Sequence, residues 1–365
     1  MSIFTSDKKL GFGTMRLPLL DATKETSIDI EQACRMVDHF IEQGFNYFDT
    51  AWMYHAFESE NAVKKILVDR YPREAYTLAT KFHIGFVKSS EEKETVFNTQ
   101  LKKTGAGYFD YYLIHDIETD NYEKYMEYDA FNWALDKKAK GLIKHLGFSY
   151  HSDAVLLDRI LTEHPEMEFV QLQLNYLDWE SEKIQSRLNY EVACKHNIPV
   201  VVMEPVKGGM LVNVPDSVKD MFKAREPELS VPSWAIRYVA SLDNVAMVLS
   251  GMSNMEQMID NTSYMKEFKK LTEEEMELCK TAGKIISGDI KIPCTGCSYC
   301  TEGCPINISI PKLFALYNRE GDNYDEVVAD GGRAGDCIGC GQCEGICPQH
   351  LKVIDLLKDV ANKYE

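Results

Sequence analysis

The sequence predicts an α/β fold, in which a (β/α)8 TIM barrel over residues 1–270 is followed by a small, mainly helical domain over residues 271–365. Two observations lead to this division. Before residue 270, eight apolar strand-like runs alternate with helix-like stretches, and eight strands are the number that closes such a barrel. After residue 270 the alternation stops, and eight of the chain's 11 cysteines lie between residues 294 and 347.

The eight predicted strands are short apolar runs separated by amphipathic stretches. They are LGFGTM (10–15), NYFDTA (46–51), YTLATKF (76–82), YYLIHD (111–116), HLGFSY (145–150), FVQLQLNY (169–176), VVVMEP (200–205) and AMVLSGM (246–252). After the first strand, Ile30, Ala33, Cys34, Val37 and Ile41 recur at spacings of three and four, which predicts one buried helix face. An open doubly wound sheet is the competing fold. The absence of a GxGxxG motif after the first strand favours the barrel.

The charge and the terminal segment argue against several functions. The chain of 365 residues has a formal net charge of −17, and phosphate binding requires clustered Lys and Arg, so nucleic acid is not an expected partner. The N-terminal segment has no apolar run after its basic residues, and no stretch is apolar for long enough to span a membrane. We therefore predict a cytoplasmic protein, whose clustered cysteines bind metal rather than form disulfides.

The clustered cysteines form one motif twice. Residues 294–305 read CTGCSYCTEGCP and residues 337–348 read CIGCGQCEGICP, and both fit C-x2-C-x2-C-x3-C-P. In this motif three thiolates bind one [4Fe–4S] cluster, and the cysteine before proline usually binds the other cluster. The predicted ligands are Cys294, Cys297, Cys300 and Cys347 for a first cluster, and Cys337, Cys340, Cys343 and Cys304 for a second cluster.

Two structural zinc sites are the alternative for these cysteines. Pairs of cysteines spaced C-x2-C suffice for zinc, but zinc does not require the third cysteine or the repeated Cys-Pro. The segment resembles a bacterial dicluster ferredoxin, with a longer, helical spacer between its two motifs. It therefore predicts a ferredoxin-like domain with two [4Fe–4S] clusters.

Polar side chains lie where several predicted strands end. Asp49, Lys81 and His115 end three successive strands, and Tyr54 follows Asp49 in the next loop. The C-terminal ends of the strands meet at the catalytic face of such a barrel, so these side chains should lie together. Carbonyl reduction needs a proton on oxygen, which a tyrosine supplies if it is activated. We expect Lys81 to lower the pKa of Tyr54, Asp49 to hold Lys81, and His115 to orient the carbonyl oxygen.

Residues 9–262 resemble the aldo/keto reductase superfamily. The matching segments are GFGTMRLP, FDTA-x-x-Y at 48–54, TK at 80–81, LIH at 113–115, GFS at 147–149 and SGMSN-x-x-Q-x-x-x-N at 250–261. The resemblance implies a (β/α)8 barrel, a nicotinamide cofactor, and a catalytic tetrad of Asp49, Tyr54, Lys81 and His115, with Tyr54 as the acid.

The same resemblance implies a row of cofactor-binding residues. Ser149 and Gln171 match the groups that hold the nicotinamide carboxamide, although Gln173 shares a sheet face with Gln171 and remains an alternative. The remaining matches are Gly208 and Gly209 near the diphosphate, and Gly251, Ser253, Gln257 and Asn261 at the adenosine end.

The sequence departs from the family pattern in ways that leave its chemistry open. His55 stands where glycine is common and is expected to approach the pocket. The segment MSNMEQM (252–258) has no Lys or Arg for a 2′-phosphate, which leaves NADH and NADPH as alternatives. A hydride carries two electrons and a cluster passes one, so a flavin is commonly needed between them, but no flavin fingerprint is visible.

We therefore expect an enzyme, an NAD(P)-dependent oxidoreductase that reduces a small carbonyl substrate, an aldehyde or a ketone. The barrel is fused to a two-cluster electron-transfer domain, to which its reaction is coupled in one interpretation. Ferredoxin or another redox protein is a candidate partner. A non-catalytic electron-transfer protein on a degenerate barrel is the alternative.

Overall fold

The computed structural model describes residues 3–4 and 8–365, and its main feature is a closed barrel of eight parallel strands in chain order. The strands are β1 (Leu10–Gly13), β2 (Tyr47–Asp49), β3 (Thr77–Phe82), β4 (Phe109–Ile117), β5 (Ile143–Tyr150), β6 (Phe169–Gln173), β7 (Val200–Met203) and β8 (Val245–Gly251). β8 pairs with β1 and closes the barrel. The predicted barrel and its eight strands are confirmed.

Helices connect the strands and surround the barrel. They are α1 (Ile30–Glu42), α2 (Ser59–Val63), α3 (Glu92–Thr104), α4 (Tyr122–Glu127), α5 (Ala130–Ala139), α6 (Ala154–Glu163), α7 (Ser186–Lys195), α8 (Asp216–Arg225), α9 (Val231–Ala240), α10 (Met255–Met265) and α11 (Glu273–Asp289). Asp29 caps α1 by accepting a hydrogen bond from the Gln32 amide. Within the described part of the chain, no helix combines the length and apolar character needed to cross a bilayer.

The buried face of α1 differs in part from the predicted one. Ala33 and Val37 are buried as expected, but Met36 and Phe40 complete the buried face, whereas Ile30, Cys34 and Ile41 are only partly buried. The sequence pattern admits both faces, because apolar residues occur on each side of the Ala33–Val37 line. The face that includes Phe40 is the buried one, because the Phe40 ring packs on the rings of Phe45 and Phe48.

The C-terminal part forms a second, smaller core of its own. Its helices are α12 (Tyr299–Glu302), α13 (Ile310–Asn318), α14 (Tyr324–Val327), α15 (Gln342–Gly345) and α16 (Val353–Tyr364). Leu313, Phe314 and Leu357 are among its fully buried side chains. The mainly helical character predicted for this region is confirmed.

Helix α11 joins the two parts of the chain and packs on the barrel. It begins at a capping box in which the Thr272 and Glu275 side chains accept hydrogen bonds from each other's backbone amides. Cys279, Ala282 and Ile286 on α11 belong to the barrel's hydrophobic core. The division at residue 270 stays a prediction. Helix α11 begins after this position, at Glu273, and packs against the barrel.

The small domain lies over the C-terminal ends of the strands, which is the face where barrel enzymes carry their chemistry. Arg16 donates a hydrogen bond of 3.2 Å to the Thr295 carbonyl, and the His350 ring lies 3.1 Å from the His151 carbonyl. The buried side chain of Gln349 in the small domain makes a third contact, a hydrogen bond with the Gln173 side chain on β6. The barrel mouth is therefore enclosed by the second domain.

Candidate active site and cluster sites

The four predicted catalytic side chains come together at the barrel mouth. Asp49 ends β2, Lys81 lies on β3, His115 lies on β4, and Tyr54 is in the loop after β2. The Lys81 ammonium pairs with Asp49 and donates a 2.8 Å hydrogen bond to the Thr50 carbonyl. The Lys81 Nζ lies 3.5 Å from the Tyr54 hydroxyl. The geometry places a buried cation beside the predicted proton donor.

The ionisation of Tyr54 differs from the sequence-based expectation. Burial raises the pKa of Tyr54 well above its ordinary value, and the nearby Tyr299 and Asp49 add to the shift. The expected lowering by Lys81 is therefore outweighed by burial, which also lowers the pKa of Lys81 against the attraction of Asp49. Tyr54 therefore stays protonated, and the ammonium 3.5 Å away can stabilise a phenolate as the proton leaves.

His115 is held as a neutral imidazole next to Tyr54. Burial, followed by repulsion from the Lys81 ammonium, lowers the pKa of His115 well below its ordinary value. Its ring centroid lies 6.1 Å from that of Tyr54, edge to face. Among the described residues its Nδ1 has no hydrogen-bond partner. A buried polar atom without a partner is suited to a substrate oxygen or hydroxyl.

A cavity of about 330 Å³ lies above these residues, and its wall includes both domains. Asp49, Tyr54 and His115 line it from the barrel. The small domain contributes Thr295, Cys297, Tyr299, Ile346, Pro348 and Gln349. This volume is in the range of small-molecule sites. The candidate active site is thus a chamber between the barrel and the cysteine-rich domain.

The three residues considered for the nicotinamide site, Gln171, Gln173 and Ser149, have different surroundings. Gln171 lines the cavity, and its Oε1 has no partner among the described residues. Gln173, the alternative, donates to Asp178 at 3.0 Å and bonds Gln349 at 3.3 Å. Ser149 is fully buried, does not line the cavity, and accepts a 2.7 Å hydrogen bond from the Asp116 amide. Of the three, Gln171 has the free amide oxygen that a carboxamide would need.

The residues predicted at the adenosine end line one side of the same cavity. These are Gly251, Ser253, Gln257 and Asn261. The Gln257 side chain accepts from the Ser253 amide at 2.8 Å, and Asn261 donates to Ser250 at 2.7 Å. Asp260 also lines this side, and the Arg16 side chain lies 3.1 Å from the position of a Cβ built on Gly251, so the lining here carries both an acidic and a basic group.

The predicted diphosphate loop lies against the small domain. Gly208 and Gly209 line the cavity, with φ angles of +61° and +99°. A Cβ at Gly208 would lie 1.9 Å from the Thr295 carbonyl oxygen, so the two backbones are in close contact. Lys207, in the same loop, is buried and bonds Asp178 at 2.5 Å and Gln349 at 3.1 Å. Lys207 therefore links the barrel, through Asp178, to Gln349 of the small domain.

Substitution of Gly208 by alanine is expected to loosen this junction. Alanine at a left-handed φ costs about 1–3 kcal/mol, and the contact with Thr295 adds about 1–3 kcal/mol of overpacking. Gly209→Ala is the matched control, because it has the backbone cost but nothing lies within 4 Å of the added Cβ. Anaerobic urea titrations should show Gly208→Ala as the less stable variant. Equal stability of the two would contradict the close contact.

The two cysteine groups surround two separate hollows, and each set is the one that the motif predicts. Cys294, Cys297, Cys300 and Cys347 line one hollow. Cys304, Cys337, Cys340 and Cys343 line the other. None of these eight cysteines forms a disulfide, and each quartet includes the cysteine before proline from the opposite motif. Four converging sulfurs around a hollow fit a [4Fe–4S] cluster.

The two motifs differ in their surroundings. In the first motif Thr295 is buried against the barrel, whereas the equivalent residue in the second motif, Ile338, is 64% exposed. Cys297 lines the cavity, and its counterpart Cys340 is exposed. The first site therefore faces the barrel chamber, and the second site faces solvent.

The metal content gives a direct check of these two sites. We expect anaerobically purified protein to be brown and to contain about eight iron and about eight sulfide per chain, because each [4Fe–4S] cluster contains four of each. Iron and acid-labile sulfide assays measure this. Stoichiometric zinc without sulfide would instead support the structural-zinc alternative.

Several site residues were missed by the sequence analysis. Tyr299 and Arg16 line the chamber, and Glu204 lies there with an unpartnered Oε2 among the described residues. Burial raises the pKa of Glu204. A comparison of the two cysteine motifs offered a signal for Tyr299, since Gln342 takes its place in the second motif. His55, expected to approach the pocket, instead turns away, with its ring nitrogens 2.8 and 3.0 Å from the carbonyls of Glu25 and Thr14.

Comparisons with known families match both parts of the chain. The model of the aldo/keto reductase family matches residues 9–284. The model of the 4Fe-4S dicluster domain matches residues 293–351.

Among curated proteins, the uncharacterized oxidoreductase YqkF of Bacillus subtilis is 27% identical over 286 residues, which is 69% of this chain and 88% of the relative. Subunit alpha 1 of the acetyl-CoA decarbonylase/synthase complex of Methanosarcina acetivorans is 32% identical over 71 residues, 19% of this chain and 8% of that subunit.

Solved structures resemble the barrel. The holo form of aldo-keto reductase AKR11C1 from Bacillus halodurans has a TM-score of 0.61 and 25% identity, over 77% of this chain and 95% of that chain. An aldo-keto reductase from Klebsiella pneumoniae in complex with NADPH has a TM-score of 0.59 and 18% identity, over 76% of this chain and 90% of that chain. At this identity, the second resemblance shows the fold alone.

Proposed function

Since the chain belongs to the aldo/keto reductase family and carries a 4Fe-4S dicluster domain, we propose that it reduces the carbonyl group of a small molecule in the chamber, with electrons that arrive through the two clusters. One observation carries this proposal. Cys297, a predicted cluster ligand, and Tyr54, the predicted proton donor, line the same cavity. The reducing centre and the proton donor would thus act on one bound molecule.

The barrel residues prepare the carbonyl for reduction. Tyr54, which is protonated in its buried position, donates the proton to the carbonyl oxygen. Lys81, fixed by Asp49, stabilises the phenolate that is left behind. His115, neutral and with a free nitrogen, orients the carbonyl oxygen towards Tyr54. These roles require only that the substrate oxygen lies between Tyr54 and His115.

The two predicted clusters would be held by the two cysteine quartets. When bound, they supply single electrons, two in all, which is the number that one carbonyl reduction consumes. Cys340 is exposed and Cys297 lines the chamber, so electrons would enter on the side of Cys340 and would be used on the side of Cys297. We propose ferredoxin or a similar redox protein as the electron donor at the exposed second site.

A nicotinamide dinucleotide is the second candidate for the electron source. Gln171 supports it, because this residue lines the chamber, its amide oxygen has no partner among the described residues, and the family resemblance assigns it to the carboxamide. Asp260 and Arg16 both line this end of the chamber, so NADH and NADPH are both candidates for this site.

The origin of the new hydrogen on carbon separates the two candidates. The holoprotein is reduced anaerobically in D₂O, freed of excess reductant and mixed with aldehydes, ketones and 1,2-dicarbonyls. Visible absorbance then reports carbonyl-dependent reoxidation of the clusters, and mass spectrometry reports the alcohol. A parallel sample contains NADH or NADPH as the sole reductant. Electrons from the clusters give an alcohol with deuterium on carbon, whereas a hydride from the nicotinamide gives protium there.

We expect the cluster-reduced protein to produce the deuterated alcohol. If it yields none while NADH or NADPH yields the protiated alcohol, the nicotinamide candidate replaces the first. If neither sample reduces any carbonyl, the proposal of carbonyl reduction itself is wrong.

A further inference from the structure

Arg16 is a cation without an ion-pair partner at the junction of the two domains. Among the described residues that line the chamber it is the one Lys or Arg. Its guanidinium donates a 3.2 Å hydrogen bond to the Thr295 carbonyl and forms no ion pair with any described residue. Glu204 is close enough to interact with Arg16, but burial raises the pKa of Glu204 and the two side chains are not paired. Partly buried cations ordinarily have a counter-charge, so we expect one next to Arg16 that the side chains do not supply.

The residue that Arg16 contacts belongs to both the chamber and the first cysteine site. Thr295 lies between Cys294 and Cys297 in the first motif, and it lines the chamber as well as the hollow of the first quartet. We call the [4Fe–4S] cluster predicted in this hollow the chamber-side cluster, and the one predicted at the second, exposed site the solvent-side cluster. Arg16 therefore lies against the loop that carries two ligands of the chamber-side cluster.

The side chain of Arg16 is fixed along its length. A Cβ built on Gly251, at the end of β8, would lie 3.1 Å from Arg16 Cδ and 3.2 Å from its Cβ and Cγ, so the stem packs directly on this glycine. The hydrogen bond to Thr295 fixes the far end. The positive charge is thus held next to the first motif by contacts with both domains.

Burial alone would make the chamber-side cluster the harder of the two to reduce. Reduction adds a negative charge to a cluster, and a site with little solvent disfavours additional charge. Thr295 in the first motif is buried, whereas Ile338, its equivalent in the second motif, is 64% exposed. Glu204 is also close enough to Cys297 to disfavour negative charge there. Without a compensating cation, electrons that enter at the exposed site would have to move to the less favourable cluster.

We propose that Arg16 supplies the counter-charge of the chamber-side cluster, so that electrons received at the exposed site are retained beside the chamber. This inference rests on the proposed function, in which a redox protein donates electrons at the second site. In each transfer one electron leaves the solvent-side cluster and arrives at the chamber-side cluster, and no bond or proton changes. A nearby cation stabilises the more negative, reduced state and raises the reduction potential. Arg16 acts through the cluster and need not touch the substrate.

The reduction potential of each cluster is the quantity that tests this. The iron-loaded proteins are titrated anaerobically at one pH and ionic strength, and visible absorbance and low-temperature electron paramagnetic resonance follow the one-electron steps. Cys304→Ala, which is expected to keep only the chamber-side cluster, identifies the step that belongs to it. Arg16→Gln and Arg16→Met remove the charge, and the unbranched methionine can still pack along Gly251. Arg16→Lys keeps the charge.

Two controls separate the charge of Arg16 from other effects. Lys358 is close enough to Cys337 of the second quartet for an electrostatic interaction, but its side chain is 67% exposed and pairs with Asp355 at 2.8 Å. Lys358→Gln should therefore leave both potentials nearly unchanged, because water and Asp355 screen this charge. His350→Gln removes a different contact between the domains, the one with the His151 carbonyl, and leaves Arg16 in place.

In the wild-type protein we expect the chamber-side cluster to have the higher potential. Arg16→Gln and Arg16→Met should disfavour its reduction by about 10-fold, which corresponds to about 59 mV for a one-electron couple, and should not move the solvent-side potential. Arg16→Lys should retain most of the wild-type value. His350→Gln should change neither step, because it weakens only the docking of the domains.

The inference is wrong if removal of the Arg16 charge leaves the chamber-side potential unchanged or shifts both potentials equally. It is also wrong if the solvent-side cluster of the wild-type protein has the higher potential, a measurement that needs no variant and stays decisive should the uncharged variants fail to bind iron. The proposed function fails separately, when the reduced wild-type protein is reoxidised by no carbonyl compound, whatever its two potentials are.

Discussion

Tyr54→Phe should lower carbonyl reduction by about 10²–10⁴-fold, because it removes the acid and keeps the ring. Tyr54 is buried, its hydroxyl lies 3.5 Å from the Lys81 Nζ, and its ring lies edge to face with His115. Phenylalanine retains these packing contacts, so the loss should appear in the chemical step rather than in folding. Steady-state turnover, with whichever reductant supports it, measures the effect.

Tyr47→Phe is the matched control for this prediction. Tyr47 is also buried, and its hydroxyl has no partner among the described residues, but it lies on β2 beside Tyr111 and away from the chamber lining. We expect normal turnover in this variant. Unchanged turnover in Tyr54→Phe would mean that another group protonates the oxygen. His115 and Glu204, whose Oε2 has no partner among the described residues, would then be the groups to replace next.

Cys347→Ala should remove the cluster on the chamber side, although Cys347 belongs to the second sequence motif. Its side chain completes the hollow lined by Cys294, Cys297 and Cys300. Iron should fall from about eight to about four per chain, because one [4Fe–4S] cluster is lost. Since a ligand of this cluster, Cys297, lines the chamber together with Tyr54, carbonyl-dependent reoxidation should disappear while the solvent-side cluster can still be reduced.

Cys304→Ala is the reciprocal variant. Cys304 lines the hollow with Cys337, Cys340 and Cys343, so its loss should remove the solvent-side cluster and leave the chamber-side one. Cys34→Ala, a cysteine on α1 outside both quartets, should leave the iron content unchanged. Iron assays and spectra of the reduced proteins distinguish these results. If Cys347→Ala instead lost the solvent-side cluster, the crossed ligand assignment would be wrong.

Both domain folds and the grouping of the site residues could be predicted because local patterns determine them. Alternating apolar runs fix strands, and the motif spacing fixes which cysteines share a hollow. The four tetrad positions follow from the rule that strand ends meet at one face of the barrel. These inferences need only the order of residues along the chain.

The features that could not be predicted depend on contacts between distant parts of the chain. The close approach of Gly208 to Thr295, and the Lys207–Gln349 hydrogen bond, join residues that no local pattern relates. The direction of the Tyr54 pKa was wrong for the same reason, because the expectation considered the charge on Lys81 but not burial beneath a second domain. The placement of Tyr299 over the barrel likewise follows from how the domains dock.

The enclosure of the barrel mouth links oxygen tolerance to the integrity of the site. Thr295, Cys297 and Gln349, which cover the chamber, are cysteines of the quartets or lie within two residues of one. Small metal-binding domains commonly lose their fold when the metal is removed. Oxidative loss of the clusters would therefore also open the chamber to water and separate His350 from His151. Exposure to air should inactivate this protein in a single step, in which the electron supply and the walls of the reaction chamber are lost together.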